Sequence, residues 1–214
     1  MNPRELDPAH VLETMQRYGT LAPNQSITSL LTPETTELLQ RYLDERGRRM
    51  ENVHAMPWLL SMAIISAEQT RVGIRPELGV DRWFTDHAGD KQVAGIETLD
   101  SQISAINALP EELQDLMLRD TLISLKRLDE TTEGILASWE RGDEAAMVHL
   151  MLADSAHPEF EPLTDKLIIA RNEDMARSLE WTLRTPGTRF VVVGTAHVIG
   201  DRGFPRFSPV TAIP

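Results

Sequence analysis

Residues 190–197 read Phe-Val-Val-Val-Gly-Thr-Ala-His, and this stretch decides the expected fold. A run of consecutive β-favouring apolar residues between turn residues is typical of a short strand that is buried on both faces. A second short apolar run lies at residues 93–96. Two such strands are too few for a stable sheet. The sequence therefore predicts a small central sheet, with further strand near residues 1–6 or 207–213.

Helical patterns fill most of the remaining chain. Prolines that suit the first turn of a helix mark the expected helix starts, and these are Pro8, Pro33, Pro57, Pro76, Pro110 and Pro162. The longest helix is expected over residues 110–140, and the last long one over 162–183. The chain is thus predicted to be one helix-rich α/β domain over residues 1–214, α+β-like in character, with a small central sheet surrounded by many helices.

Composition and charge exclude several classes of protein and site. The 214 residues carry a net charge of −12 without an evident cluster of Lys and Arg, which argues against a nucleic-acid partner. No residue is a cysteine, so disulfides, thiolate catalysis and cysteine zinc sites are excluded. No apolar stretch approaches the roughly 20 residues of a membrane span, so no transmembrane segment is expected. The first residues lack the apolar core of a signal peptide, which predicts a cytoplasmic protein for the chain as written.

His197 is the leading candidate for a functional residue. Gly194 is expected to let the backbone turn sharply after the second strand, which would present His197 at the carboxyl edge of the sheet. Ligands of α/β folds bind at that edge. A structural histidine in a loop between a strand and a helix explains the same G-x-x-H pattern equally well.

Three charged residues are further candidates. Glu97 follows the other strand, and an adjacent carboxylate and imidazole suit either a metal site or a base with its orienting partner. Glu97 also fits the start of a helix, which is the more ordinary interpretation. Arg171 falls on an apolar helix face, where it needs a carboxylate such as Glu97, or an anionic ligand, unless it reaches solvent along its stem. Asp81 is favoured as a capping or surface residue, with a place at the same sheet edge as the alternative.

Six segments, in this order and spacing, resemble the TraB/GumN family, a group related to the Tiki-type metal-dependent proteases. They are residues 5–7, 78–84, 95–102, 139–143, 171–176 and 190–203. The family's first G-x-x-H motif, which would lie upstream of Glu5, has no counterpart here. The chain is therefore interpreted as a domain of this type without its N-terminal strand, either truncated or degenerate. If an N-terminal segment is missing, an exported or cell-envelope location is expected.

The resemblance implies a metal-dependent, peptidase-like hydrolase, or an inactive form of one, so whether this chain is an enzyme stays open. In such a site His197, Glu5 and Glu97 would bind a divalent ion such as Mn²⁺, Co²⁺ or Zn²⁺, with Glu97 also a candidate general base. Arg171 would hold a carboxylate or stabilise an oxyanion, and Asn172 would orient one of these groups. The substrate would be a peptide or a small molecule. The alternative is a non-catalytic remnant that binds a ligand or partner in a cell-envelope or polysaccharide role.

Overall fold

A computed structural model of the protein describes residues 7–152, 159, 161–184 and 186–207. The α-helices of these residues are α1 (Pro8–Gly19), α2 (Pro33–Asp44), α3 (Pro57–Arg71), α4 (Val80–Asp86), α5 (Leu99–Asn107), α6 (Glu111–Ser124), α7 (Leu128–Arg141), α8 (Glu144–Leu152), α9 (Glu161–Thr164), α10 (Ala170–Leu183) and α11 (Phe204–Phe207). Short 3₁₀ turns cover Ile27–Leu30, Met50–Asn52, Pro76–Leu78, Leu125–Arg127 and Thr195–His197. Within the described residues, no helix is long and apolar enough to cross a membrane.

The predicted α/β fold with a small central sheet is wrong, because every regular element in the described part of the chain is a helix. Neither residues 93–96 nor residues 190–193 form a strand. The β-pairing among the described residues is one isolated antiparallel bridge between Thr20 and Ala55. A strand is stabilised by a ladder of backbone hydrogen bonds to a neighbour, and these two apolar runs have no such neighbour in the described chain. Phe190 is 73% exposed and Val191 is 37% exposed, so this run is not the fully buried strand that the sequence predicted.

Most helix starts agree with the proline pattern. Helices α1, α2 and α3 begin at Pro8, Pro33 and Pro57, where the missing backbone N–H of proline has no helical partner to lose. The expected long helix over residues 110–140 is instead two helices, α6 and α7, separated by the 3₁₀ turn Leu125–Arg127. Apolar periodicity alone did not reveal this interruption, since both halves continue the same pattern.

The described residues group into two compact units. The first unit comprises residues 7–76 and 99–129, and the second comprises residues 77–98 and 130–207. The single-domain interpretation of the sequence stays a prediction. In the first unit, α2 and α3 pack against α6, and α1 packs against α5. The buried core of this packing consists of Leu21, Ile27, Leu39, Leu43, Ile64, Leu118 and Leu122.

A buried carboxylate joins α2, α3 and the turn after α2 in the first unit. Glu68 accepts hydrogen bonds from Arg46 Nη2 at 2.5 Å, from Arg71 Nε at 2.7 Å and from the Tyr42 hydroxyl at 3.2 Å. Burial alone would raise the pKa of the Glu68 carboxyl, but the hydrogen bonds from Arg71 and Arg46 outweigh it, so the pKa lies below its ordinary value of 4.5. Glu68 is therefore ionised in the folded protein at neutral pH.

The second unit is organised around α10. A π-helical turn, Asp165–Ile169, connects α9 directly to α10, and such turns occur often at functional sites. Along α10, Asn172, Met175, Ala176 and Leu179 form one buried face. The π-helical turn and α8 both contact the 3₁₀ turn Thr195–His197 in the same unit. Because the π-helical turn leads directly into α10, the start of α10 lies close to the segment that carries His197.

Replacing Glu68 with glutamine should give a pH-dependent loss of stability. Because the folded pKa of Glu68 is below 4.5, its charge stabilises the fold above that pH, and the stabilisation is lost as the pH falls through the folded pKa. Urea unfolding should show E68Q to be less stable than wild type at neutral pH. The difference should shrink well below pH 4.5, and a difference that does not change with pH would contradict the assignment.

Core packing in the first unit predicts a contrast between two residues of α6. Leu118 is fully buried, whereas Ile123 is 48% exposed. Leu118→Ala should lower the free energy of unfolding by about 2–5 kcal/mol, because it removes buried contacts and leaves a cavity. The matched substitution Ile123→Ala should change it by less than about 1 kcal/mol. Equal effects in denaturant titrations would show that this part of α6 is packed differently.

Candidate functional site

Asn172, near the start of α10, links two segments of the second unit. Its side chain is fully buried. Its Nδ2 donates to the Arg202 carbonyl oxygen at 2.8 Å, and its Oδ1 lies 2.7 Å from Nδ1 of His197. A carbonyl oxygen only accepts hydrogen bonds, so the amide nitrogen must face Arg202 and the amide oxygen must face His197. The buried amide is thereby satisfied at both ends.

This arrangement selects one tautomer of His197. Because Asn172 Oδ1 can only accept, Nδ1 of His197 must carry the hydrogen, and Nε2 of the neutral ring keeps its lone pair. No described residue forms a hydrogen bond with Nε2. A neutral imidazole with one nitrogen held by a hydrogen bond and the other available is the form that binds metals and accepts protons.

The charge state of His197 agrees with this tautomer. Partial burial lowers the pKa of the His197 imidazole below 6.5, and the positive charge of Arg171 lowers it further, while the charge of Glu97 opposes the shift. Burial disfavours the charged form of a histidine, and so does a nearby cation. His197 is therefore neutral at pH 7.

Arg171 holds Glu97 in a two-point ion pair. Its Nε donates to Glu97 Oε1 at 2.9 Å, and its Nη2 donates to Oε2 at 2.8 Å. The third nitrogen, Nη1, donates to the carbonyl of Leu167 at 3.1 Å. The two side chains are only 17% and 19% exposed, so the partners neutralise each other largely away from water. Since every nitrogen of Arg171 is engaged, the geometry favours the role of holding a carboxylate over that of binding an oxyanion.

The turn after His197 is tight because of its glycines. Gly200 has φ +79°, a left-handed conformation that favours glycine. A side chain at Gly203 would collide with the backbone carbonyl of Val198. By contrast, Gly194 has φ −59°, which any residue can adopt, so the expected sharp turn lies at Gly200 and Gly203 instead.

The other predicted site residues lie elsewhere. Asp81 is exposed in the first turn of α4, and no hydrogen bond or ion pair joins its carboxylate to Glu97, Arg171, Asn172 or His197. Glu5 lies outside the described residues. Glu97 and His197 do not share a sheet edge, which the sequence had predicted. Instead, Arg171 binds Glu97, and the next residue of α10, Asn172, binds His197.

Two acidic residues that the sequence analysis did not single out hold the turn after His197. Glu144 Oε1 accepts the Gly200 N–H at 3.0 Å, and Asp165 Oδ1 accepts from Arg202 Nη1 at 2.6 Å. The sequence indicates these two residues only through their positions next to candidate segments. Glu144 opens a helix directly after Gly142-Asp143, and Asp165 lies in the turn that precedes Arg171.

The side chains at this site were tested for their fit to a divalent metal ion. His197 and Glu97 have suitable donor types, but both oxygens of Glu97 accept from Arg171. A catalytic zinc site uses three protein ligands. The described residues contain no group of three or more His, Asp or Glu side chains placed to hold an ion. The described residues therefore do not by themselves fit a metal.

Comparison with known proteins gives one match. The family model for the TraB/PrgY/gumN family matches residues 2–206. Neither a curated protein nor a solved structure matches the chain. The match covers all the segments of the site described above.

Arg171→Gln should raise the pKa of the His197 imidazole. The substitution removes a nearby positive charge and leaves Glu97 unpaired, and both changes favour the protonated ring. An NMR titration of the His197 ring protons should give a midpoint below 6.5 in the wild type and a higher midpoint in R171Q. Arg177→Gln is the matched control, because Arg177 forms an exposed ion pair with Asp174 on the same helix. Identical midpoints in wild type and R171Q would contradict the electrostatic account.

Proposed function

Because the chain belongs to the TraB/PrgY/gumN family, we propose that it is a hydrolase in which the neutral imidazole of His197 activates the attacking water. The observation that supports this most directly is the hydrogen bond of 2.7 Å between Asn172 and His197, which leaves Nε2 with its lone pair. The lowered pKa of His197 supports it as well, since a base must be unprotonated at the working pH.

The proposed substrate is a peptide bond. Nε2 of His197 accepts a proton from water as the water oxygen attacks the carbonyl carbon of the substrate. When the carbon–nitrogen bond breaks, the imidazolium returns the proton to the departing amine. Asn172 can remain hydrogen-bonded to Nδ1–H throughout, so the ring keeps its orientation while Nε2 gains and loses the proton.

Glu97 and Arg171 have an electrostatic part in this proposal. The charge of Glu97 favours the imidazolium that forms during the reaction, and the charge of Arg171 disfavours it. The ion pair fixes Glu97 by two hydrogen bonds, so its charge acts from a constant place. Such a fixed charge needs no rearrangement as the proton moves.

A divalent cofactor is a separate part of the proposal, since it rests on the resemblance to metal-dependent proteases. Nε2 of His197 is a donor of a suitable type for a divalent ion, and no described residue forms a hydrogen bond with it. A bound ion would supply a water molecule of lowered pKa. The remaining ligands would have to include Glu97 released from Arg171, or residues outside the described part of the chain such as Glu5.

Hydrolysis should be tested on protein that has been stripped of metal with a chelator. The protein is incubated with a mixture of synthetic peptides, without metal and with Mn²⁺, Co²⁺ or Zn²⁺ in separate samples, and mass spectrometry detects new termini. We expect cleavage that falls by roughly 100-fold or more in His197→Ala. His149→Ala is the matched control, because His149 is exposed on α8.

Titration calorimetry with the same ions, on wild type, His197→Ala and Glu97→Ala, separates the two ways in which His197 could act. Cleavage without added metal, together with no heat of binding, would support direct proton transfer. Cleavage that requires an ion, with one-to-one binding lost in both variants, would support a metal site. No cleavage in any sample would refute the hydrolase and favour the alternative of a non-catalytic ligand-binding protein.

A further inference from the structure

We propose that Glu144 is a positioning residue for His197, acting through the turn at residues 198–203. This inference rests on the proposed function in one respect, that His197 is the reacting group. Glu144 does not contact His197. It holds a turn whose backbone fixes Asn172, and Asn172 in turn fixes the ring of His197.

The first link joins α8 to the turn. Glu144 Oε1 accepts the backbone N–H of Gly200 at 3.0 Å. Val148 and Leu152 also lie next to Gly200, and Glu144, Val148 and Leu152 share one face of α8 because they are spaced four residues apart. Gly200 therefore lies against this face of α8, where a Cβ added to it would be within 4 Å of Val148 and Leu152, and a hydrogen bond from its N–H to the Glu144 carboxylate joins it to the helix.

The second link lies within the turn. The Gly203 N–H donates to the Gly200 carbonyl at 3.1 Å, which closes the turn around Arg202. A side chain at Gly203 would collide with the Val198 carbonyl, so the turn has little room to adopt another shape. The position of Gly200 on α8 therefore determines where the Arg202 carbonyl meets Nδ2 of Asn172.

The third link is the choice of tautomer. The Arg202 carbonyl orients the Asn172 amide, and the amide oxygen then requires the hydrogen of His197 to be on Nδ1. If the carbonyl moves, the amide is free to rotate, and its nitrogen can donate to Nδ1 of the opposite tautomer. Asp165 also holds Arg202, but it binds the side chain of Arg202, whereas Glu144 binds the backbone of the turn that carries the Arg202 carbonyl.

The chemistry of the Glu144 contact suggests a matched pair of variants. A carboxylate oxygen that accepts a backbone N–H can be replaced by the amide oxygen of glutamine, but not by alanine. Glu144→Gln should therefore keep the turn in place, whereas Glu144→Ala should release it. Glu140→Ala is a control, because it removes another exposed carboxylate close by in the sequence.

The test is the tautomeric state of His197, read by NMR from the ring nitrogens of protein labelled with ¹⁵N-histidine at neutral pH. His197→Ala identifies the resonances. Wild type, E144Q and E140A should show a protonated Nδ1 and an unprotonated Nε2. In E144A both resonances should move toward the values of a tautomer mixture, in the same direction as in Asn172→Ala.

Resonances in E144A that match wild type would overturn the proposal, and so would an equal shift in E144Q. If thermal melting shows that E144A does not fold, Glu144→Asp replaces it: the charge is kept, the reach is shorter, and the same shift is expected. The readout needs no substrate or metal, so it stands whether or not the chain proves to be a hydrolase. A failed hydrolysis assay with the expected tautomer shift would refute only the proposed function.

Discussion

The side-chain amide of Asn172 is the constraint on which the rest of the site depends. A fully buried amide must find partners for both its nitrogen and its oxygen, because an unsatisfied buried polar group costs about 1–3 kcal/mol. Here the partners are a backbone carbonyl on one side and an imidazole on the other. Since the carbonyl can only accept, the amide has one orientation and the imidazole has one tautomer. A single packing requirement thus sets the protonation pattern of His197.

Adjacent residues of α10 bring together parts of the chain that are far apart in sequence. Arg171 binds Glu97, and Asn172 binds His197, so the start of one helix collects a charged pair and a neutral pair side by side. The two pairs depend on each other electrostatically. Burial lowers the pKa of the His197 imidazole most, the charge of Arg171 lowers it further, and the charge of Glu97 opposes both effects. The π-helical turn Asp165–Ile169 lies just ahead of these two side chains.

The sequence predicted the helices and the Arg171–Glu97 contact better than it predicted the sheet. Proline predicts a helix start because the first turn does not need its missing N–H, and α1, α2 and α3 begin at prolines. An arginine on an apolar face needs a carboxylate, and Arg171 binds Glu97 in the structure. The run at residues 190–193 was misleading because apolar character indicates a strand only where a partner supplies backbone hydrogen bonds. The G-x-x-H pattern points to Gly194 and not to Gly200 or Gly203, because residue spacing does not reveal φ. Glu144 was missed since its contact is with a backbone N–H, which leaves no pattern in the sequence, and Glu5 lies outside the described residues.

The sequence predicted His197 at the edge of a sheet, whereas the structure places it beside Asn172 at the start of α10. These two arrangements hold a side chain in different ways. At a sheet edge, neighbouring strands fix each loop through their own hydrogen bonds. Here residues 190–193 have no such ladder within the described chain, so His197 must be held from the other side, by the turn that follows it. The described contacts meet that need with tight glycine geometry at Gly200 and Gly203 and with acidic side chains on α8 and on the π-helical turn. A backbone conformation and side-chain contacts therefore act on the same turn, and they hold His197 from its C-terminal side.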